Sequence, residues 1–343
     1  MRFILLICCC LPLLSADCGE QPQRALAGAG GAGFTVMFYN VENIFDTEND
    51  PATLDDDFTA EGKMAWTPER YQQHLAHTAW VIDAIPGALP DIVGLCEIEN
   101  RRVVEELASS PSLQGVDYAV VHRDSPDERG IDVALMYNKA VWKLKEEEFL
   151  KVTLPSEADP NTRDILYAHL VAGGKDLHVF VNHWPSRREG EKESEPNRIA
   201  AANRLRARIS ELTSADPSAS IVVMGDFNDY PDNTSVAGVL CSGADGGVPL
   251  VNLMDSLHRS GVGSYWHQGS WGMLDQIIVS EAIAGGRGDF SVLEPGASVF
   301  STDQILFTDA KGTKRPSRVY VGESFKGGYS DHLPVYVSMK PER

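Results

Sequence analysis

Short apolar runs in this 343-residue chain end, again and again, on the same kinds of polar residue. The segments are Phe38-Tyr39-Asn40-Val41-Glu42-Asn43, Gly94-Leu95-Cys96-Glu97, Val181-Asn182-His183-Trp184, Gly225-Asp226-Phe227-Asn228 and Tyr329-Ser330-Asp331-His332. A further segment, Gly272-Met273-Leu274-Asp275-Gln276, puts an acid where such a run begins. Taken singly, each reads as a turn, since Asn, Asp and Gly favour turns on their own account. Recurrence at strand edges is what makes them a set. Strand ends gathered at one rim are where α/β proteins bind ligands. Carboxylates, amides and imidazoles collected there suit a hard divalent cation and a phosphate, because Mg²⁺ prefers oxygen ligands and keeps several waters. No residue reads as a covalent nucleophile with an adjacent base, so direct attack by water is expected.

Elements able to hold these residues can be read from periodicity. Strands are expected at 34–39, 91–96, 118–121, 132–137, 221–224, 276–279 and 335–338, and a hairpin at 165–171 and 177–182 closed by Gly173-Gly174. Helices are expected over 71–85, around 102–109, and most clearly over 197–212, with Ile199, Leu205, Ile209 and Leu212 on one face. Many short strands with helices between them favour two packed β-layers with helices outside over a single parallel sheet. The acidic clusters Asp55-Asp56-Asp57 and Glu146-Glu147-Glu148 read as solvated surface.

The order Asn40, Glu97, His183, Asp226-x-Asn228, Asp275 and Ser330-Asp331-His332 resembles the DNase I-like endonuclease/exonuclease/phosphatase superfamily. Gly225-Asp226-Phe227-Asn228 and Ser330-Asp331-His332 are the most diagnostic pieces. Asn40-Val41-Glu42-Asn43, Glu97-Ile98-Glu99-Asn100, Arg129-Gly130-Ile131-Asp132 and Trp271-Gly272-Met273-Leu274-Asp275-Gln276 resemble its exported bacterial branch. The resemblance implies a four-layer α/β sandwich, two packed mixed β-sheets flanked by helices, over residues 34–340. It implies Glu97 as principal metal ligand, with Asn40, Glu42 and Asp331 on the metal side, and Mg²⁺ or Mn²⁺ as one or two ions. Asp226 would orient or deprotonate the attacking water and Asn228 would position it. His332, held by Asp275, would stabilise the phosphoryl oxygens, with His183 on the other side. Arg187, Trp271 and Ser330 are candidates for substrate contact. Trp184, Trp266 and Trp271 suit stacking on bases or sugars and core packing equally. Arg187, Arg188, Arg198, Arg204 and Arg206, and later Lys311, Lys314, Arg315 and Arg318, are either a local basic patch or a solvated face.

The flanks and the charge bound the setting. Met1-Arg2 followed by the apolar run Phe3 to Leu14 is of signal-peptide length and too short to span a bilayer. Residues 1–27 are therefore expected to be a signal peptide and tether, cleaved after Ala16 or Ala27. Cys18 offers a site for lipid attachment, against which Asp17 weighs. The expected location is periplasmic, extracellular or membrane-anchored, with no transmembrane helix. Of six cysteines only Cys96 and Cys241 belong to the body, which is no disulfide framework. The net charge of −19 weighs against a broad basic face for duplex DNA. The leading expectation is an exported nuclease acting on DNA or RNA. A phospholipid, inositol phosphate or other small phosphoester is the alternative substrate, and a non-catalytic binding module the reading from another class.

Overall fold

The computed structural model describes residues 33–155, 161–243 and 247–342. The signal-peptide reading and Cys18 fall outside them. The chain opens on β1 (Phe34–Ile44), then α1 (Pro68–Asp83), β2 (Ile92–Ile98), α2 (Arg101–Ala108), β3 (Tyr118–His122) and β4 (Asp132–Asn138). It crosses to β5 (Lys143–Leu150), β6 (Ile165–Ala172), β7 (Lys175–His183), α3 (Glu195–Ala215), β8 (Ile221–Asp226) and β9 (Leu250–Asn252). After α4 (Asp255–Arg259) come the paired β10 (Tyr265–His267) and β11 (Ser270–Gly272), then β12 (Asp275–Ser280) and α5 (Glu281–Ala284). It returns through β13 (Phe290–Val292), β14 (Ser298–Val299) and the small hairpins β15 (Leu306–Thr308) with β16 (Lys314–Pro316) and β17 (Tyr320–Val321) with β18 (Ser324–Phe325). It closes on β19 (Val335–Pro341).

Two mixed sheets result. The first runs β13-β19-β1-β2-β4-β3, with β14 also on β19. The second runs β5-β6-β7-β8-β12-β9. Alternation along each strand decides what lies between them. Val36 and Phe38 of β1 point inward and pack with Val181, Met224 and Ile277 of the second sheet. Met37 and Tyr39 point the other way, under α1 and α2, against Leu75, Val81, Val103 and Leu107. On the far side Phe180 and Val223 meet Ala201, Leu205 and Ile209 of α3. The layers are therefore helix, sheet, sheet, helix. Cys96 is a buried free thiol between the sheets, and Cys241 is also free.

Local signals explain where the helices start. Thr67 caps α1 by accepting from the Arg70 amide, with Pro68 at the first helical position. Asn100 caps α2 by accepting from the Val103 amide at 3.1 Å. Two readings of the sequence need correction. Asp55, read with Asp56 and Asp57 as solvated surface, is buried and accepts from the Asp50 amide at 2.9 Å, whereas Glu146-Glu147-Glu148 do lie at the surface, on the edge strand β5, where charge discourages pairing with other chains. The buried stripe of α3 runs through Arg198, Ala201, Ala202, Leu205, Arg206 and Ile209. Arg198 and Arg206 are thus core residues and not a solvated face. Arg198 Nε lies 2.7 Å from Asp229 Oδ2, which compensates the buried charge.

Candidate active site

Topology brings the polar strand ends to one rim. β1 and β2 are parallel, and Asn40 is in register with Cys96, beside Glu97. β7 and β8 are parallel, pairing His183 with Asp226. β12 runs antiparallel to β8, so its first residue, Asp275, also faces Asp226. β19 runs antiparallel to β1, so the turn before it, carrying Ser330, Asp331 and His332, arrives at the same edge. Parallel strands end there and antiparallel strands begin there.

Asn40 joins the two sheets. Its Nδ2 donates to Asp226 Oδ2 at 3.1 Å and to Glu97 Oε1 at 3.4 Å, while its Oδ1 accepts from the Glu42 amide at 3.1 Å. Ser330 Oγ donates to the Asn40 carbonyl at 2.7 Å and accepts from the His332 amide at 3.0 Å. His332 Nδ1 lies 2.7 Å from Asp275 Oδ2, and Ser264 Oγ donates to the same carboxylate oxygen at 2.5 Å. That contact fixes the imidazole with its Nδ1 proton toward Asp275 and aims Nε2 into the site. His332 Nε2 is 3.8 Å from Asp226 Oδ2, and His183 Nε2 is 3.9 Å from the same atom and 4.0 Å from Glu97 Oε1. Such separations belong to groups converging on a common third atom, not to groups bonded to each other.

The backbone is held out of its ordinary range where these residues sit. Glu42, Asn43, Glu97 and Asn228 all have φ between 49° and 64°. Each non-glycine residue in that left-handed region costs on the order of 1–3 kcal/mol, and such positions persist where surrounding structure fixes them. Register shifts between Asn40 and Ile44 and between Cys96 and Ile98 lie at the same place. These irregularities turn Glu97 from the strand direction toward the rim.

Electrostatics shifts the titration of four of these groups. Burial works against a charged His332, yet Asp275, Asp226 and Asp331 together hold its pKa well above the ordinary value. His183 goes the other way, depressed by burial and then by Arg163 and Arg129, so it is neutral. Burial pushes Asp226 up to about 6, with His332 opposing and Asp275 reinforcing the rise. Burial and the charge of Asp331 push Glu42 up to about 8.

The donor set fits a divalent cation. Glu97 is only partly buried, and among the described residues only the Asn40 amide donates to it. Asp331 keeps one oxygen toward His332, while Arg318 takes the other at 2.8 Å. Asp226, Asp275 and His332 form a second set within reach of one ion. The 2.7 Å contact already occupies His332 Nδ1 with Asp275, so Glu97 is the better anchor.

Other sequence candidates have different surroundings. Both Glu42 oxygens are engaged, by the Val319 amide at 2.7 Å and by Arg318 at 3.3 Å. Arg187 is tied to the Asn228 carbonyl, Asp229 and Asn233 at 2.5–2.9 Å, and stacks over Tyr230. Ser330 is buried and acts through Asn40 and His332. Trp184 is a core residue, with its indole N–H donating to Asn182. Trp271 pairs edge-to-face with Trp266 across the β10–β11 hairpin, and both stay partly exposed. Asn228 Nδ2 donates to the Trp184 carbonyl and its amide to Asp226 Oδ1, both at 2.9 Å. Sequence reasoning missed Ser264 and Tyr265, whose ring lies 4.7 Å from that of His332. Neither follows a long apolar run, so no pattern marked them. Arg129 stood inside a noted motif, but its bond to Asn43 Oδ1 at 2.7 Å could not be read.

A family model described as "Endonuclease/Exonuclease/phosphatase family" matches residues 35–341. Among solved structures, an endonuclease/exonuclease/phosphatase family protein from Bacteroides thetaiotaomicron is similar at 18% identity. The match covers 92% of this chain and 100% of that one, with a TM-score of 0.56. A mannosyl-6-phosphatase from the same organism is 19% identical over 89% of this chain and 99% of its own, with a TM-score of 0.56. The human nocturnin catalytic domain, solved with a bound sulfate anion, is 16% identical over 90% and 95%, also at 0.56. At these identities the structures establish a shared DNase I-like fold.

Proposed function

Because the chain belongs to the endonuclease/exonuclease/phosphatase family, whose members are metal-dependent phosphoesterases, we propose that it hydrolyses a small phosphoester by direct attack of water. The substrate class rests on one observation: of the arginines around the site, among the described residues only Arg188 is exposed and without a side-chain partner. Arg187 and Arg318 are spent on protein carboxylates and Arg129 on Asn43, in a chain of net charge −19. A single phosphoryl group can be held by His332 and a metal. A long polyanion needs a row of free cations. That is why the nuclease expectation gives way here to its alternative.

Asp226, ionised above about pH 6, accepts the proton of the attacking water. The Asn228 amide holds the other Asp226 oxygen and so fixes the direction of the base. His332, protonated and oriented by Asp275, donates from Nε2 to a phosphoryl oxygen as negative charge develops there. His183, neutral, presents Nε2 from the opposite side. Mg²⁺ or Mn²⁺ held by Glu97, with Asn40 and Asp331 beside it, would supply Lewis-acid charge to the phosphoryl oxygens. The apolar leader Phe3 to Leu14 supports export, so the substrate would be met outside the cytoplasm.

One observation favours a second reading, cleavage of a single-stranded nucleic acid. Tyr265, Trp266 and Trp271 form a partly exposed aromatic hairpin beside His332, and such rings stack on bases as well as on sugars. A panel of sugar phosphates, nucleotides, inositol phosphates, phospholipids, plasmid DNA and RNA, each with Mg²⁺, Mn²⁺ or EDTA, separates the readings. Metal-dependent turnover confined to small phosphoesters supports the first. Cleavage confined to nucleic acid moves the assignment to the second, and undiminished turnover after thorough chelation rejects both.

A further inference from the structure

The loop between β3 and β4 begins at His122 and ends at Asp132, and carries Asp124. The His122 side chain is 1% exposed, yet its Nε2 has no hydrogen-bond partner. That nitrogen faces Asp132 Oδ2 at 3.7 Å, too far for a hydrogen bond. One ligand atom from each of His122, Asp124 and Asp132 lies within 4.8 Å of the others. Asp124 Oδ1 lies 3.8 Å from the ring's other nitrogen, Nδ1; since two ligands bound at about 2.1 Å to a tetrahedral ion lie about 3.4 Å apart, the exposed Asp124 side chain must swing toward Nε2 to close a coordination shell there. Asp132 is fixed by the Ser125 amide, which donates to its other oxygen at 3.0 Å. Access is through a cleft of about 700 Å³ that Asp124 and Asp132 line with Asp50, Glu99 and Glu128, and whose lining contains no Lys or Arg.

We propose that His122, Asp124 and Asp132 form a second divalent cation site, of the zinc class, that staples the β3–β4 loop. One imidazole and two carboxylates suit a borderline ion such as Zn²⁺ better than Mg²⁺ or Ca²⁺, which take oxygen alone. The staple has a consequence for the phosphoester site. The same loop carries Arg129, which reaches Asn43, and Asp127, which holds Arg163 at 2.8 Å. Arg163 in turn donates to the Trp184 carbonyl, the group that also receives Asn228 Nδ2. A metal that fixes the loop ends fixes both connections.

The test uses the chain stripped of metal, in a Glu97→Gln background that weakens the catalytic centre's own metal site, titrated with Zn²⁺ alone. Calorimetry should find one tight site, and hydrogen exchange should show zinc slowing exchange across residues 123–131. Asp124 is largely exposed, so Asp124→Asn leaves the fold unstrained and should weaken zinc binding by about tenfold or more. His122→Gln should abolish the site. Unchanged affinity in the well-folded Asp124→Asn protein overturns the proposal. So does the absence of tight zinc binding, or protection that falls around Asp226 and His332 instead of the loop. Because binding is read without turnover, its failure is distinguishable from failure of the phosphoesterase reading.

Discussion

Asp275 touches His332 at 2.7 Å while Ser264 secures the same oxygen, so the imidazole is held from behind before any substrate arrives. Assistance by such a group contributes typically ~10²–10⁴-fold in rate. His332→Ala should lose activity of that order with the fold intact, and Asp275→Asn much of the same. The double variant should cost far less than the product, because residues acting as one unit are non-additive. Steady-state kinetics on the three proteins checks this, and fully multiplicative losses would sever the pair. The pH profile tests the base. Asp226 must be ionised to accept a proton and titrates at about 6, so kcat/KM should fall about tenfold per unit below that pH. His332 must keep its proton and is held well above its ordinary value, so the alkaline fall should lie beyond the usual histidine range. An acid limb near pH 4 would exclude Asp226. These residues were legible because each ends or begins an apolar run. Glu42 was harder, since its partners Arg318 and Val319 lie far along the chain and no local pattern announces them.

Strand ends carry the chemistry, so strand packing limits how they can vary. Gly225 precedes Asp226 on β8, where a Cβ would sit 2.4 Å from the Asn182 carbonyl oxygen and 2.6 Å from its Cβ. A backbone oxygen of a paired strand cannot move aside as a flexible side chain would. Gly225→Ala should therefore destabilise the fold by about 3 kcal/mol and move Asp226 away from Asn40. A lower thermal midpoint with activity lost beyond the unfolded fraction is the expected result, and a protein of normal midpoint and activity would refute the packing argument. Periodicity gave the inner strands and the three long helices nearly in place. It missed β5 because Lys-Leu-Lys-Glu-Glu-Glu has the composition of surface, and only its pairing with β6 makes it a strand. It set the face of α3 slightly askew because two buried arginines were counted as solvent-facing.

At the scale of the molecule, charge and connectivity dominate. Should a nucleic acid prove to be cleaved, its binding should weaken with salt along a shallow slope, reflecting few phosphate contacts. A steep slope would contradict the pairing of Arg129, Arg187 and Arg318 within the protein. The two-sheet architecture could be inferred from many short strands, but which strand lies beside which could not, because pairing joins residues hundreds of positions apart. Connectivity also has a temporal side. The first sheet is begun by β1 and completed only by β19, which lies against it, and His332 comes immediately before that last strand. Asn40 waits on one side while Asp226 and Asp275 are added from the other sheet. A ribosome must therefore release almost the whole domain before hydrolysis can begin, and a nascent chain halted before His332 should be inert. Return of activity during refolding would then report the final docking of the two sheets, lagging behind the secondary structure that each can form alone.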